Sequence, residues 1–288
     1  MAYILASILS STVILVLFRW MQDSSAVTRH AIVVGYLASA IAGAVLFDYD
    51  WRGILFSSDL QAAGSTRWFW PAALEGIGFY VVFRMIALTT QRTGITVASI
   101  ATKMSVVIPT LIGIVALGES VSVLKIAGLV FGAVAVLLAI GSPVKVSNWI
   151  LPLLVFICTG LIDASFKLFQ IWGMTDEQFP GFIITIFGFA LITSGIHHLT
   201  LPDKHINLTS AISGVVLGLA NLGTVYFLLK ALAQPEWESS IVYPLNNFGI
   251  VLASTVTAFL IFGERLTTAT KLSLGAAITS IFLLYAAS

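Results

Sequence analysis

The sequence predicts an all-α membrane protein with ten transmembrane helices, and the evidence is its composition and the length of its apolar stretches. Of the 288 residues, 58% are hydrophobic and 9% are charged, and the mean hydropathy is +1.02. Soluble domains are about 45–50% apolar and about 25% charged. The apolar stretches are long enough to cross the hydrocarbon layer as helices, which takes about 17–25 residues. They lack the short alternating pattern of membrane-spanning strands, so helices are the predicted elements.

The predicted helices follow one another with short connections. Ten apolar stretches lie at residues 2–18, 31–47, 69–90, 94–117, 121–140, 149–169, 179–199, 209–232, 239–262 and 268–286. The N-terminal stretch MAYILASILSS has no basic segment before it, so we interpret it as part of the first span and not as a removed signal peptide. The longest polar connection, residues 48–67, is too short for a soluble catalytic domain.

The chain divides at residues 141–148 into two halves that resemble each other. After a shift of 145 residues, Gly118-Glu119 at the end of the fourth span coincides with Gly263-Glu264 at the end of the ninth. We therefore predict one integral membrane domain built as a 5+5 inverted repeat, residues 1–143 and 144–288. An odd number of spans per repeat inserts the second repeat upside down. Many secondary transporters follow this plan, with a site near the midplane where the repeats meet.

Composition and the lack of known motifs argue against several partners and chemistries. The net charge of +1 and the lack of a basic run argue against nucleic acid as a partner. The single cysteine, Cys158, excludes an internal disulfide framework. The adjacent His197 and His198 diverge by about 100° on a helix and have no accompanying ligand motif, so we predict neither a metal nor another cofactor. Because no hydrolase or redox motif occurs, we do not expect an enzyme.

Three cationic side chains interrupt apolar segments of membrane length. Arg84 lies in the third span, Lys103 in the fourth and Lys167 in the sixth. A charge near the centre of a bilayer costs roughly 2.5–3.5 kcal/mol on insertion scales, so such residues normally face a protein interior or a water-filled cavity. We interpret these three residues as the lining of a solute pathway.

The fourth and ninth spans carry the polar stripes expected of a binding pocket. Lys103 shares a helix face with small hydroxyl side chains, and Tyr243, Asn246 and Asn247 form the corresponding stripe of the second half. Pro109 predicts a bend in the fourth span, because it leaves a backbone carbonyl without its usual partner. The alternatives are that Lys103 pairs with a carboxylate only to hold the bundle together, and that the amides only bond neighbouring helices.

Further candidate residues lie in the third, sixth and eighth spans. Asp163 and Lys167 are four residues apart, in the order that favours a helical ion pair. They either neutralise each other or form a switch that a substrate or a proton opens. Arg84 shares a helix face with Tyr80, and Asn221 extends a face of glycines in the eighth span. We include all five residues among the candidates for substrate binding.

The motifs LGES after the fourth span and FGERL after the ninth, together with the two five-helix halves, resemble the drug/metabolite transporter superfamily, in particular its bacterial EamA-like members. The resemblance covers essentially the whole chain. It implies a carrier in the inner membrane that alternates between outward-open and inward-open states, with spans one, three, four, six, eight and nine around the cavity. It also implies cytoplasmic termini, whereas the distribution of Lys and Arg among the loops favours the opposite orientation.

The balance of buried charges indicates the class of cargo. The cations within spans outnumber the carboxylates, which favours an anionic or zwitterionic solute such as an amino acid or an organic acid. We therefore predict a secondary transporter of a small metabolite, a monomer or homodimer in the lipid bilayer, with protons as the candidate coupling ion. A proton-coupled exporter of cationic or hydrophobic compounds is the alternative. A channel or a lipid scramblase would also suit buried cations.

Overall fold

Helices make up nearly all of the described chain. The computed structural model describes residues 1–47, 69–118, 121–140, 149–171, 179–232, 234 and 239–287. Its helices are α1 (Ala2–Gln22), α2 (Thr28–Leu46), α3 (Phe69–Thr93), α4 (Ile95–Met104), α5 (Val107–Leu117), α6 (Val123–Ile140), α7 (Ile150–Ile171), α8 (Phe179–Thr200), α9 (Leu208–Leu232), α10 (Ser239–Phe262) and α11 (Thr268–Ala286). These residues contain no strand, and for them the all-α prediction is confirmed.

Within the described ranges, eight helical segments are long and apolar enough to cross a membrane. They are Ala2–Gln22, Thr28–Leu46, Phe69–Thr93, Ile95–Val115, Pro180–Thr200, Leu208–Ala231, Leu245–Phe262 and Thr268–Ala286. Shorter apolar helices lie at Val123–Ala139 and Ile150–Ser165. The ten segments overlap the ten predicted spans, with ends that differ by several residues. The protein is therefore a multi-pass membrane protein.

The fourth predicted span, residues 94–117, is interrupted. A turn at Ser105 and Val106 separates α4 from α5. Pro109 has no N–H to donate to the Ser105 carbonyl four residues earlier. The Ile108 amide donates to that carbonyl instead, at 2.9 Å. The bend expected from Pro109 therefore lies at Ser105, near the middle of the span.

The described chain forms two compact units, and unit 1 contains Met1–Ser24, Met85–Ala164 and Gly223–Ser288. One apolar cluster of this unit joins α4, α6, α10 and α11. Small residues bring α6 and α11 together. The Ser273 hydroxyl of α11 donates a hydrogen bond to the Ala135 carbonyl of α6 at 2.6 Å. The Ser280 hydroxyl donates to the Gly128 carbonyl at 2.7 Å. Such contacts are typical of helix packing in membranes, where small residues allow backbones to approach.

Unit 2 contains Ser25–Arg84 and Ser165–Leu222. In it α2 packs closely on α9, since a side chain on Gly218 would collide with the Gly35 backbone. The Ser39 hydroxyl donates to the Gly218 carbonyl at 2.8 Å across this contact. Tyr36 is buried against α3 and α8, and its hydroxyl donates to the Phe79 carbonyl at 3.1 Å. These contacts fix α2 and α9 around the polar side chains described below.

Candidate functional site

The turn between α4 and α5 brings polar groups of different helices together in unit 1. The close approach of α7 depends on Gly160, where a Cβ would lie 2.8 Å from the Ser105 carbonyl oxygen. One turn further along α7, Asp163 Oδ2 lies 3.1 Å from the Ser105 hydroxyl. The same hydroxyl lies 2.6 Å from the Thr102 carbonyl, so it can donate to either acceptor. The small residue at position 160 thus places a carboxylate at the helix turn.

Lys103 and Asp163 are the charges at this turn. Each interacts electrostatically with the other, but no ion pair within 4.0 Å involves either group among the described residues. Protein atoms surround both groups. Even so, Asp163 is exposed and Lys103 is partly exposed. This exposure does not fit two charges sealed in a dry helix contact.

α10 adds a phenol and amides to this site. Tyr243 is 45% exposed and interacts electrostatically with Asp163. Asn246, one turn along the helix, is 3% exposed, and its Oδ1 has no hydrogen-bond partner in the described part of the chain. Asn247 beside it is partly buried. Because buried side-chain oxygens nearly always have a partner, Asn246 is available to accept a hydrogen bond from a ligand.

The chemistry of this group of residues suits a ligand with two opposite charges. Lys103 comes from the first half of the sequence, and Asp163 and Tyr243 come from the second. The ammonium of Lys103 can hold a carboxylate, and the carboxylate of Asp163 can hold an ammonium group. Neither group must first break a short ion pair with another described residue. A small zwitterion therefore fits the charge pattern better than an apolar compound.

A cavity of about 320 Å³ lies elsewhere in unit 1, at the start of α4. Glu264 lines this cavity. Its carboxylate accepts a hydrogen bond from the Ile95 amide at 2.8 Å and lies 3.4 Å from the Thr96 hydroxyl. Glu264 thereby caps the N-terminus of α4, where a negative charge is stabilising. Arg19, also in the lining, pairs with Asp23 at 2.7 Å. Because Glu264 and Arg19 already have partners, we place the candidate site at Lys103 and not in this cavity.

Two other predicted residues, Tyr80 and Arg84, lie in unit 2 and contact His197. The Tyr80 hydroxyl oxygen is 2.5 Å from His197 Nδ1, and Arg84 Nη1 is 3.4 Å from each ring nitrogen. Tyr80 is buried, while Arg84 and His197 are partly buried. Within the ranges that the structure describes, no three His, Cys, Asp or Glu side chains are arranged to hold a metal ion. This group is therefore a polar cluster without the geometry of a metal centre in those ranges.

The remaining predicted residues take different places. Asn221 is buried in α9, 8% exposed, and belongs to unit 2. The side chain of Lys167 lies outside the described residues, so its pairing with Asp163 stays a prediction. Glu75 on α3 is buried and accepts a hydrogen bond from the Ser165 hydroxyl.

The structure adds Ser105 and His197 to the residues that the sequence predicts as substrate-binding candidates. Ser105 is the residue whose carbonyl Pro109 leaves free, so the proline was a usable signal for it. The sequence shows His197 next to His198 without an accompanying metal-ligand or catalytic motif. No local pattern could bring it forward, because its contact with Tyr80 joins residues that are far apart in the chain.

Comparison with known proteins finds similarity along nearly the whole chain. No protein-family model matches the chain. An uncharacterized protein of Haemophilus influenzae is 25% identical over 285 residues, which cover 97% of this chain and 96% of that protein. A protein of known crystal structure is similar with a TM-score of 0.61 and 13% identity, over 98% of this chain and 96% of that one. The chain is thus a multi-pass helical membrane protein that shares its fold, almost from end to end, with a solved structure.

Proposed function

We propose that the protein is a secondary transporter of the alternating-access type, which moves a small anionic or zwitterionic metabolite such as an amino acid or organic acid across the bacterial inner membrane. The observation that carries this proposal is the pair of opposite charges, Lys103 and Asp163, at a helix turn. Protein surrounds them, yet they are open and form no ion pair within 4.0 Å with any described residue. Charges that only held helices together would be expected at hydrogen-bond distance from each other, because a buried charge without its partner is strongly destabilising. Open charges within spans are typical of substrate and ion pathways.

Matching helix ends support a two-repeat plan for this transporter. α6 begins after Ser122, whose hydroxyl accepts the Lys125 amide at 3.1 Å. α11 begins after Thr267, whose hydroxyl accepts the Thr270 amide at 3.2 Å. The two pairs are 145 residues apart in the sequence. Equivalent caps at equivalent positions are expected if both halves descend from one folding unit.

The ends of the preceding helices agree with this plan. Gly118 after α5 and Gly263 after α10 are also 145 residues apart. Both have a positive φ, 68° and 61°, a conformation that glycine adopts readily at helix ends. In addition, the unit boundaries after residues 24 and 84 recur after residues 164 and 222, about 140 residues later.

The resemblance of the LGES and FGERL motifs to the drug/metabolite transporter superfamily supports the same proposal. Membership would make residues 1–143 and 144–288 two oppositely inserted five-helix repeats. The site would then draw Lys103 from one repeat and Asp163 with Tyr243 from the other. A site shared by two inverted repeats can open alternately to either side of the membrane.

A thermal-shift screen of metabolites on detergent-purified protein tests the proposed substrate class. A carboxylate ligand at one hundred times its Kd should stabilise the wild type by about 2.7 kcal/mol. The Lys103→Ala variant should gain much less, because it lacks the cation that holds the carboxylate. Lys271→Ala is the matched control, since Lys271 is an exposed lysine on α11, and it should respond like the wild type. A preference for organic cations that strengthens in Lys103→Ala would instead favour the exporter of cationic compounds.

A further inference from the structure

The contact between α3 and α8 in unit 2 has the features of an anion site. Tyr80 and Arg84 lie one turn apart on α3, and both reach the ring of His197 in the last turn of α8. No described carboxylate lies within 4.0 Å of the Arg84 guanidinium. Its described polar neighbours are the imidazole of His197 and the phenol of Tyr80, and neither carries a negative charge. A guanidinium within a span and without a counter-charge is unfavourable, and a bound anion would supply that charge.

The other charged and titratable groups around His197 are mostly cationic or neutral. His198 adjoins it on α8, and Arg29 and His30 lie at the start of α2. The described carboxylate of this group, Asp203, is 3.5 Å from the Arg29 guanidinium and pairs with it. The Asp203 backbone carbonyl lies 3.3 Å from His30 Nε2. The charge of Asp203 is thus engaged, and the cluster retains an excess of cationic and donor groups.

Two imidazole nitrogens of this cluster have no described partner. His30 is fully buried, and its ring meets that of His198 edge to face at 5.0 Å between centroids. The Nδ1 atoms of His30 and His198 are both buried without a hydrogen-bond partner among the described residues. Buried polar atoms of this kind are rare in folded proteins. These two nitrogens can therefore form a hydrogen bond with a polar group outside the described residues.

We propose that Arg84, His197 and Tyr80 bind a small monovalent oxyanion, such as a carboxylate or a sulfonate, together with a proton on His197. In the neutral ring Nδ1 accepts the Tyr80 hydroxyl hydrogen. When the ring takes up a proton, Nδ1–H donates to the Tyr80 oxygen, and the Tyr80 hydrogen is released to donate to the anion. The proton therefore adds one positive charge and one donor. Because the two ligands strengthen each other, anion binding also raises proton affinity by the same factor.

This site goes beyond the transporter proposal, because its residues belong to unit 2 and it requires neither Lys103 nor Asp163. A soluble oxyanion bound with a proton would give the protein a second, pH-dependent ligand. The inference holds or fails independently of the cargo bound at Lys103.

Calorimetric titration of the purified protein with sodium methanesulfonate tests the inference. This anion does not change its protonation between pH 5.5 and 7.5, so any proton taken up on binding belongs to the protein. Above the ordinary histidine pKa of about 6.5, affinity should fall about tenfold for each pH unit. Titrations in buffers of different ionisation enthalpy should show an uptake approaching one proton per anion at pH 7.5.

Single substitutions test which side chains bind the anion and the proton. Arg84→Gln should lose binding, while Arg92→Gln is the control, because Arg92 is an exposed arginine on the same helix. His197→Gln should abolish the pH dependence, and it decides the matter if Arg84→Gln does not fold. Lys103→Ala should keep the pH-dependent binding. Equal affinity at pH 5.5 and 7.5, unchanged pH dependence in His197→Gln, or loss of binding in Lys103→Ala alone would overturn the proposal.

Discussion

At the scale of single residues, the groups without partners near the α4–α5 turn are more informative than those with partners. An unpartnered amide or charge in a medium of low polarity destabilises a fold. Asn246 Oδ1 has no described hydrogen-bond partner, and Lys103 and Asp163 form no ion pair within 4.0 Å with a described residue. A ligand that supplies a partner for these groups would make their burial more favourable. We therefore expect their replacement to weaken ligand binding without an equal loss of stability.

Asp163→Asn tests whether this carboxylate couples transport to protons. The variant keeps a hydrogen-bond partner for the Ser105 hydroxyl but removes the group that can gain or lose a proton. We expect normal amounts in the membrane and transport that no longer depends on pH. Asp23→Asn, at an exposed aspartate, should retain the pH profile of the wild type. An unchanged profile in Asp163→Asn would contradict a coupling role.

Asn246→Leu separates a binding role from a packing role. Replacing Asn246 by an apolar residue of similar size should leave thermal stability equal or higher, because its buried Oδ1 forms no hydrogen bond with a described residue. Ligand-induced stabilisation should disappear if the amide oxygen contacts the ligand. Thr255→Val removes another unpartnered buried oxygen about 13 Å further along α10 and should leave ligand binding intact. A strongly destabilised Asn246→Leu would show that the amide supports the fold.

The sequence predicts which residues share a helix face, but it does not predict which residues of different helices are in contact. The helical period placed Lys103, Tyr243 and Asn246 on polar stripes, because the period of 3.6 residues is a local property. It also suggested Lys167 as the partner of Asp163. The interaction between Asp163 and Lys103 joins two helices that are 60 residues apart. It depends on the close approach at Gly160, which spacing within one helix does not reveal.

At the scale of elements, short side chains determine which helices touch. In unit 2 the α2–α9 contact relies on Gly35, Gly214 and Gly218, and in unit 1 serine hydroxyls join α6 to α11. The number and approximate position of the spans could be predicted because hydropathy depends on length and composition. The bend in the fourth span followed from Pro109. The packing partners could not be predicted, since small residues occur on most of the helices.

Gly218→Ala tests the α2–α9 contact. Its added methyl group would collide with the Gly35 backbone, so we expect a loss of about 1–3 kcal/mol in stability. Gly275→Ala in α11 is the control, because no atom lies within 4 Å of its would-be Cβ. It should be neutral or stabilising by up to about 1 kcal/mol. Thermal unfolding in detergent measures both, and equal effects would contradict the close packing of α2 on α9.

At the scale of the whole molecule, each compact unit takes helices from both halves of the sequence. Unit 1 contains the first, fourth and fifth spans of the first half and their counterparts, the sixth, ninth and tenth, of the second. Sequence repetition predicts which elements correspond. It does not predict which of them pack into one unit, because that depends on surfaces of helices distant in sequence.

Cysteine labelling tests the inverted insertion of the two halves. Val123 and Thr268 are exposed first residues of α6 and α11, 145 positions apart. In a Cys158→Ala background, Val123→Cys and Thr268→Cys should react with a membrane-impermeant maleimide from opposite sides of the membrane, since five spans separate them. Labelling of both from the same side would show that the halves are not inverted.

Counterflow in sealed liposomes tests the central claim most directly. Vesicles with purified protein are loaded with the best ligand of the thermal-shift screen, and uptake of the labelled ligand is followed. A carrier with Lys103 in its site should show uptake stimulated by the internal ligand, abolished in Lys103→Ala and retained in Lys271→Ala. Uptake that is indifferent to the internal ligand would indicate a channel, and chemical conversion of the ligand without vesicles would indicate an enzyme. Either result would contradict the account.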